Sequence, residues 1–331
     1  MLPLIPLETG NPVTLLQRHP EKARALAAAA ANTLGLASRL AFAALAPRLD
    51  RLSRDWLVRQ DNPYLEEIDA MAGILRIPGV HALNVCFEWG CTSGIWPSAD
   101  GPVLRRAMDW PFPLLGESMV VLRQQGPAGE FFAITWPGIA GLFQGWAPGR
   151  FAIAINQAPM RRHNATLLGD WLINRIAVKK CTALPPAHLL RQVFERTPDY
   201  DTAKEILCAT ELAVPAIFAL AGRDTGCIIE RSEHGCGVRE LTNTGVCVTN
   251  HFESAINQEG KGWRPRPIDS AGRLTCANGL CDTHFAAEFG WFVPPIANAN
   301  TRLAFNASAR GPLTLMGTYG AKPVTEIFRL R

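Results

Sequence analysis

The sequence is poor in charge and has no run of it. Charged residues are 19% of the 331 and the formal net charge is +4, so the chain lacks the dense field of one sign that nucleic acid or a strongly acidic partner requires. The nearest thing to a basic cluster, Arg161 and Arg162 beside His163, reads as a solvated loop. HExxH and paired CxxC motifs are missing and the 7 histidines are scattered, so neither a metal nor another cofactor is expected. The 9 cysteines are odd in number, and Cys86 with Cys91 and Cys276 with Cys281 are spaced too widely for a zinc knuckle. Reduced, mostly buried thiols are expected. The start MLPLIPLETGNP lacks the basic head, apolar core and small-residue cleavage site of a secretory signal, which points to a cytoplasmic protein. Beyond one alanine tract there is no low-complexity linker and no internal repeat.

What the chain does have is an apolar fraction of 48%, enough to fill one sizeable core. Residues 21 to 59 are rich in alanine and leucine and read as two helices broken at Pro47. Their apolar part, residues 25 to 46, is mostly alanine and contains Asn32, Ser38 and Arg39, which suits packing on the body or contact with a lipid surface better than a membrane span. Asn62 and Pro63 start a further helix through PYLEEIDAMAGIL. A helical or extended run, VHALNVCFEW, then leads into Gly90 and Cys91. Beyond it the texture turns β-prone: SMVVLR, EFFAITW and RFAIAIN, then IFALAGR, GCIIER and GVCVTN, and finally TRLAFNAS, GPLTLMGTY and VTEIFRL. A helical stretch, residues 168 to 212, interrupts these with breaks at Pro185-Pro186 and Thr197-Pro198. Strands on both sides of a helical insert predict an α+β domain of two packed sheets with helices outside.

The chemistry concentrates at EWGCTSGIWPSADGPVLRRAMDWPF. A cysteine preceded by a flexible glycine suits an N-to-S acyl shift, because glycine tolerates the strained backbone the shift needs. Cleavage between Gly90 and Cys91 would turn Cys91 into an N-terminal residue, whose α-amine, with a reference pKa of about 8, can act as general base for its own thiol. Such a site needs a cation by the thiolate, a carboxylate for the ammonium and donors for an oxyanion. Arg106 and Asp109 lie on VLRRAMDW, which reads as a strand returning beside the Cys91 strand through a turn at residues 99 to 101. A buried apolar role for Cys91 and a salt-bridged surface turn at RRAMD are the bland alternatives.

The wider pattern resembles a known family. CTS, a short turn and then R-x-M-D-W-P-F resemble the start of the catalytic chain in N-acylethanolamine acid amidase and acid ceramidase, and PYLEEIDAMAGILRIPGVHALNVCFEW resembles the end of their small subunit. ITWPGIAGLFQGWAPGRFAIAINQ is similar to their tryptophan- and glycine-rich turn followed by a strand ending in asparagine. GVCVTNHFES resembles the element that carries an oxyanion asparagine, and DSAGRL resembles elements of the penicillin acyltransferase and bile salt hydrolase branches. The likeness covers about residues 60 to 331, in order. Two departures stand out. The Cys91 to Arg106 interval is one residue shorter than in the animal lipid amidases, and Gln157 replaces a glutamate.

The resemblance implies a cysteine N-terminal nucleophile hydrolase with an αββα four-layer sandwich, an N-terminal helical segment (residues 1–90, the small subunit after autoproteolysis) and a catalytic chain (residues 91–331), together one domain. It implies hydrolysis of the linear amide bond of a small N-acyl amide through a thioester on Cys91, with the two chains staying associated. Acyl transfer from the same thioester and a non-catalytic acyl- or lipid-binding relative remain the alternatives. Carried over, Cys91 is nucleophile and base, Arg106 faces the thiolate, Asp109 binds the ammonium, Asn156 and Asn250 give amide donors to the oxyanion, and Arg273 completes the polar network. Arg264 and Arg266, in WRPRP, compete with Arg273 for that last place. Trp96, Trp110, Phe112, Phe143 and Trp146 are candidates for an apolar acyl pocket because they flank these motifs. Residues 21–59 would offer lipid contact near its entrance.

Overall fold

Two largely antiparallel sheets account for nearly all the β-prone runs. The computed structural model describes residues 1–33, 36–86, 90–258, 262–264 and 269–331, and of residues 36–39, 41 and 42 only the backbone. One sheet has eight strands in the order Leu7–Thr9, Val120–Gly126, Gly129–Thr135, Gln144–Ala147, Phe151–Gln157, Ala216–Ala221, Gly226–Arg231 and Cys236–Glu240. The other runs Val246–Val248, Gly90–Trp96, Val103–Asp109, Thr301–Ala307 and Leu313–Tyr319, with Lys322–Pro323 and Phe328–Leu330 both pairing with the last of these.

The strands Gly90–Trp96 and Val103–Asp109 face Phe151–Gln157 and Ala216–Ala221 across the interior. Strand residues that alternate sides therefore sort into two cores on either side of the second sheet. Ile95, Leu104, Met108 and Phe305 bury between the sheets with Ile155 and Phe218, whereas Trp96, Ala107, Cys247 and Ala304 bury outward against Leu274 and Ala277 of the helix Ser270–Asn278. Helices Pro186–Arg196 and Tyr200–Ala209 cover the outer face of the eight-stranded sheet. The layer order is the αββα sandwich of the expectation.

The helical insert breaks where proline and cap residues dictate. Thr166 and Asp199 cap the helices Leu167–Lys180 and Tyr200–Ala209 through hydrogen bonds from Gly169 N and Thr202 N, and Pro185 precedes the helix between them. The helix after Asn62 runs Leu65–Leu75 and buries Ile68, Met71 and Leu75.

Several expectations need correction. Pro47 does not break the N-terminal helices, which are Pro20–Asn32 and Leu36–Arg59, the second with Pro47 inside it. Ala43, whose carbonyl Pro47 cannot serve, is exposed like Pro47 itself, so water can take the freed acceptor while Trp56 and Leu57 anchor the helix downstream. Leu7–Thr9 pairs parallel with Val121–Arg123, an edge strand that three residues of sequence could not announce. VTEIFRL yields only Phe328–Leu330. In VHALNVCFEW, Val80–Asn84 is helical, and the continuation over residues 87 to 89 lies outside the described residues, as does Arg266.

Candidate active site

Strand register puts the predicted groups together. Gly90–Trp96 pairs with Val103–Asp109 so that Cys91 lies opposite Met108, Ser93 opposite Arg106, and Gly90 opposite Asp109. The turn closes through Gly101, whose φ of +96° and close approach to the Arg223 carbonyl leave no room for a side chain. Directly opposed residues share a face, so Cys91 and Arg106 point between the sheets while Thr92 and Asp109 point toward the helix Ser270–Asn278.

Between the sheets, Arg106 Nη2 lies 2.9 Å from Cys91 Sγ and 2.8 Å from the Ile155 carbonyl, and Nη1 donates to the Phe143 carbonyl at 3.3 Å. Both residues are fully buried. Burial pushes the Cys91 thiol up from its ordinary range, and the Arg106 cation and its hydrogen bond pull against that. The guanidinium is thus the main group favouring a thiolate at this depth.

On the other face, Arg273 reaches in from its helix, whose first turn is capped by Asp269 accepting from Gly272 N. Its Nη1 donates to the Cys91 carbonyl and, at 2.8 Å, to Thr92 Oγ1, and Nη2 donates to Asn250 Oδ1 at 2.7 Å. Asp109 is 3.5 Å from Arg273 Nη1 and accepts from Thr301 Oγ1 at 2.7 Å. Burial raises the Asp109 carboxyl above its usual range, opposed by Arg273, by hydrogen bonds from Asn298 and Thr301, and by Arg106.

Two carboxamides bridge the sheets. Asn250 Oδ1 accepts the Cys91 main-chain N–H at 3.1 Å and its Nδ2 donates to the Gln157 carbonyl at 2.8 Å. Asn156 Oδ1 accepts from Ser93 Oγ at 2.6 Å, and its Nδ2 donates to the Thr249 and Val248 carbonyls at 3.0 and 3.4 Å. With Gly90 and Cys91 joined in one strand, both amide donors are therefore directed at main-chain carbonyls and not at an open oxyanion position. That differs from the expectation for Asn156 and Asn250: the Gln157 carbonyl takes the Asn250 donor, and the Val248 and Thr249 carbonyls take that of Asn156.

Of the competing arginines, Arg273 reaches Cys91. Arg264 is instead paired with Asp170 and donates to the Asn164 carbonyl at 2.9 Å, on a two-residue strand beside Met160–Arg161. Among the aromatic candidates, Trp110, Phe112 and Phe143 cluster, with ring centroids 5.6 Å apart for Trp110 and Phe112 and 5.9 Å for Trp110 and Phe143, and Trp136 joins them. Trp96 faces outward onto Phe285, and Trp146 packs on Phe132 with its indole N–H on the Ser308 carbonyl. Flanking a motif in sequence did not place those two beside the thiol.

Three contributors escaped the sequence reading. Ser270 Oγ accepts Asn250 N at 2.9 Å and contacts His251 Nδ1 at 2.8 Å, so it positions the Asn250 loop. It is the serine of DSAGRL, so the motif carried the signal. Ser93 was signalled by standing two residues after Cys91, on the same face of the strand. Thr301 had no signal, being 192 residues from its partner Asp109. A surface cleft opens where the Asn156 strand ends, lined by Gln157, Ala158, Met160, Trp171, Val178 and Val214 among others.

No family model matches the chain. Acid ceramidase from Heterocephalus glaber is 28% identical over 205 residues, covering 55% of this chain and 51% of the relative. The human acid ceramidase is 25% identical over 191 residues, covering 51% of this chain and 47% of the relative. The match thus spans about half the length of these curated relatives. Among solved structures, the Caenorhabditis elegans ortholog of N-acylethanolamine-hydrolyzing acid amidase superposes with a TM-score of 0.53 at 18% identity, over 73% of this chain and 100% of that one, which is a likeness of fold. The chain is thus similar in sequence to acid ceramidases over about half its length, and it shares its fold with an N-acylethanolamine-hydrolyzing acid amidase ortholog.

Proposed function

We propose that this protein hydrolyses the linear amide bond of N-acyl amides, with Cys91 as nucleophile after autocatalytic cleavage between Gly90 and Cys91. The observation that carries the reading is the buried Arg106 guanidinium 2.9 Å from Cys91 Sγ, on a residue whose own N–H rests on Asn250. In the processing step Sγ attacks the Gly90 carbonyl carbon, the Gly90–Cys91 C–N bond breaks, and the thiol proton ends on the new α-amine. Water then hydrolyses the Gly90 thioester. In turnover the α-amine takes the Cys91 thiol proton, Sγ attacks the substrate carbonyl, the ammonium protonates the leaving amine, and water releases the acid from the thioester. Asn250 Nδ2 would exchange the Gln157 carbonyl for the oxyanion, and Arg273 and Asp109 would hold the new terminus.

The matched relatives are named for ceramide and for N-acylethanolamines, so acyl amides with apolar tails are the substrate class. Lipid access has a basis in exposed side chains: Leu40, Leu45 and Leu49 on Leu36–Arg59, and Leu168, Leu172 and Ile176 on Leu167–Lys180. Trp56 Nε1 on the Cys181 carbonyl at 2.9 Å and Arg59 on the Lys179 carbonyl at 3.1 Å join the C-terminal ends of these helices. No helix among the described residues is long and apolar enough to cross a membrane, so this surface would touch lipid peripherally. The two chains would stay together through Glu67 on Arg191 and Tyr64 on Glu195.

The test pairs intact mass with turnover. The purified chain should yield fragments 1–90 and 91–331 and hydrolyse N-acyl amides, and Cys91→Ala should do neither. Only full-length protein under every condition, together with undiminished amidase activity in Cys91→Ala, overturns the reading.

A further inference from the structure

Two cysteines outside the site meet on the outer side of the eight-stranded sheet. Cys208 lies in the last turn of the helix Tyr200–Ala209, and Cys236 opens the edge strand Cys236–Glu240. That helix packs across the strand Gly226–Arg231, whose last residue, Arg231, stands directly opposite Cys236 in register. The buried Arg231 guanidinium donates only to main chain around the two thiols: Nη1 to the Leu207 carbonyl, Nη2 to the Thr210 carbonyl at 2.9 Å, and Nε to the Gly235 carbonyl at 3.1 Å. One rigid, planar cation therefore fixes the residues around Cys208 against the residue before Cys236.

The two thiols are thereby brought to neighbouring positions, each within one residue of a carbonyl held by the Arg231 guanidinium. Cys236 is exposed and Cys208 half-buried, so a small oxidant can reach the pair. The hydrogen bond from Cys236 holds the Cys208 thiol down to about 7 against its partial burial, with help from Arg231 and Lys204. Cys227, the third thiol nearby, is fully buried and pushed up to about 12 by that burial, which removes it as a competitor.

We propose that Cys208 and Cys236 form a reversible disulfide site that ties the helix Tyr200–Ala209 to the edge of the eight-stranded sheet. The oxidant is a low-molecular-weight disulfide. The Cys208 thiolate attacks one of its sulfurs, expelling one thiolate and leaving a mixed disulfide on Cys208. Cys236 sulfur then attacks the Cys208 sulfur, the mixed S–S bond breaks, and the second small thiolate leaves and takes up the Cys236 proton. Two protein thiols have lost two electrons and two protons, and the small disulfide has become two thiols. Arg231, the register partner of Cys236, adjoins Glu230, whose buried carboxylate accepts Glu253 N and Ser254 N at 3.0 and 2.9 Å, just past Asn250. Oxidation therefore stiffens the frame under that loop.

The experiment equilibrates the full chain with oxidised glutathione, quenches by alkylation, maps the peptides and follows thermal unfolding. A cross-linked Cys208–Cys236 peptide is expected, with a higher Tm than the reduced protein. Both should disappear in Cys236→Ala, an exposed position where the fold survives, and in Cys208→Ser. Glutathione adducts on either cysteine without the cross-link, a Cys208–Cys227 link, or a cross-link that leaves Tm unchanged each overturn the proposal.

Discussion

Arg106 shares a single Nη2 between the Cys91 sulfur, 2.9 Å away, and the Ile155 carbonyl, 2.8 Å away. The carbonyl fixes the guanidinium in place before any charge exists on sulfur, so the cation is organised in advance and its effect falls on the thiolate. Because burial raises the thiol and Arg106 is the main group that opposes it, removing the cation should leave the burial opposed only by the more weakly acting Arg273. In the processed enzyme, Arg106→Met should shift the pH profile of Cys91 alkylation upward. It should also lower the neutral-pH rate by roughly 10- to 100-fold, the worth of a hydrogen bond to a charged group. Alkylation followed by peptide mapping reads both. An unmoved profile would mean that the guanidinium serves the main chain alone.

Asn250 and Ser270 separate holding from positioning. Asn250 Oδ1 accepts the Cys91 N–H and a bond from Arg273, whereas Ser270 touches only the Asn250 loop. Asn250→Ala strands two buried donors at about 1–3 kcal/mol each, so processing at Gly90–Cys91 should slow by at least tenfold. Ser270→Ala should slow it less, and should leave the Cys91 alkylation profile where it was. Time courses of fragment appearance on a denaturing gel compare them. Equal rates for the two variants would remove the special role given to Asn250.

What could be read from sequence follows from the range of the interactions. Cys91, Arg106 and Asp109 sit on one hairpin, whose register is set by a local turn, so the spacing of residues 91 to 109 already implied Arg106 on the face of Cys91 and Asp109 opposite Gly90. Arg273 and Ser270 came through a motif, and only the packing of their helix on Gly90–Trp96 decided for Arg273 over Arg264. Thr301 on Asp109 depends on pairing between Thr301–Ala307 and Val103–Asp109, which no local pattern encodes. Trp96 failed as a pocket residue for the opposite reason: alternation along its own strand sends it outward, and counting from Cys91 would have said so.

The seam between residues 1–90 and the rest rests on Arg191. It forms a bidentate pair with Glu67 at 2.6 and 2.8 Å, bonds Glu195 at 2.8 Å, and stacks 4.1 Å from the Tyr64 ring. Its side chain is 5% exposed against 25% for Glu67, so truncation strands partly buried carboxylates. Arg191→Met should destabilise by roughly 3 kcal/mol and let the cleaved chains separate in denaturant at lower concentration than wild type. Size-exclusion chromatography across a urea series measures this. Co-elution at the wild-type midpoint would move the seam's stability to the apolar contacts of Leu15, Leu16 and Ile68.

His188 gives the same seam a pH dependence. It is fully buried, its Nδ1 lies 3.0 Å from Asn62 Nδ2 across the seam, and the Tyr64 ring meets it edge-on at 5.3 Å. Burial, and secondarily the Arg191 cation, lower its pKa from 6.5 to about 3. A depressed histidine is neutral in the folded state over the range where the unfolded chain takes up a proton. Its contribution is therefore complete above about 6.5 and drains away as pH falls toward about 3. The urea midpoint of Cys91→Ala, which keeps the chain in one piece, should drop steadily between these limits. Adding His188→Gln, which can still accept from Asn62 but cannot titrate, should flatten that slope. It should also lower the midpoint at neutral pH, where the wild-type ring packs best. If the slope survives the substitution, His188 is not the group that makes the seam acid-sensitive.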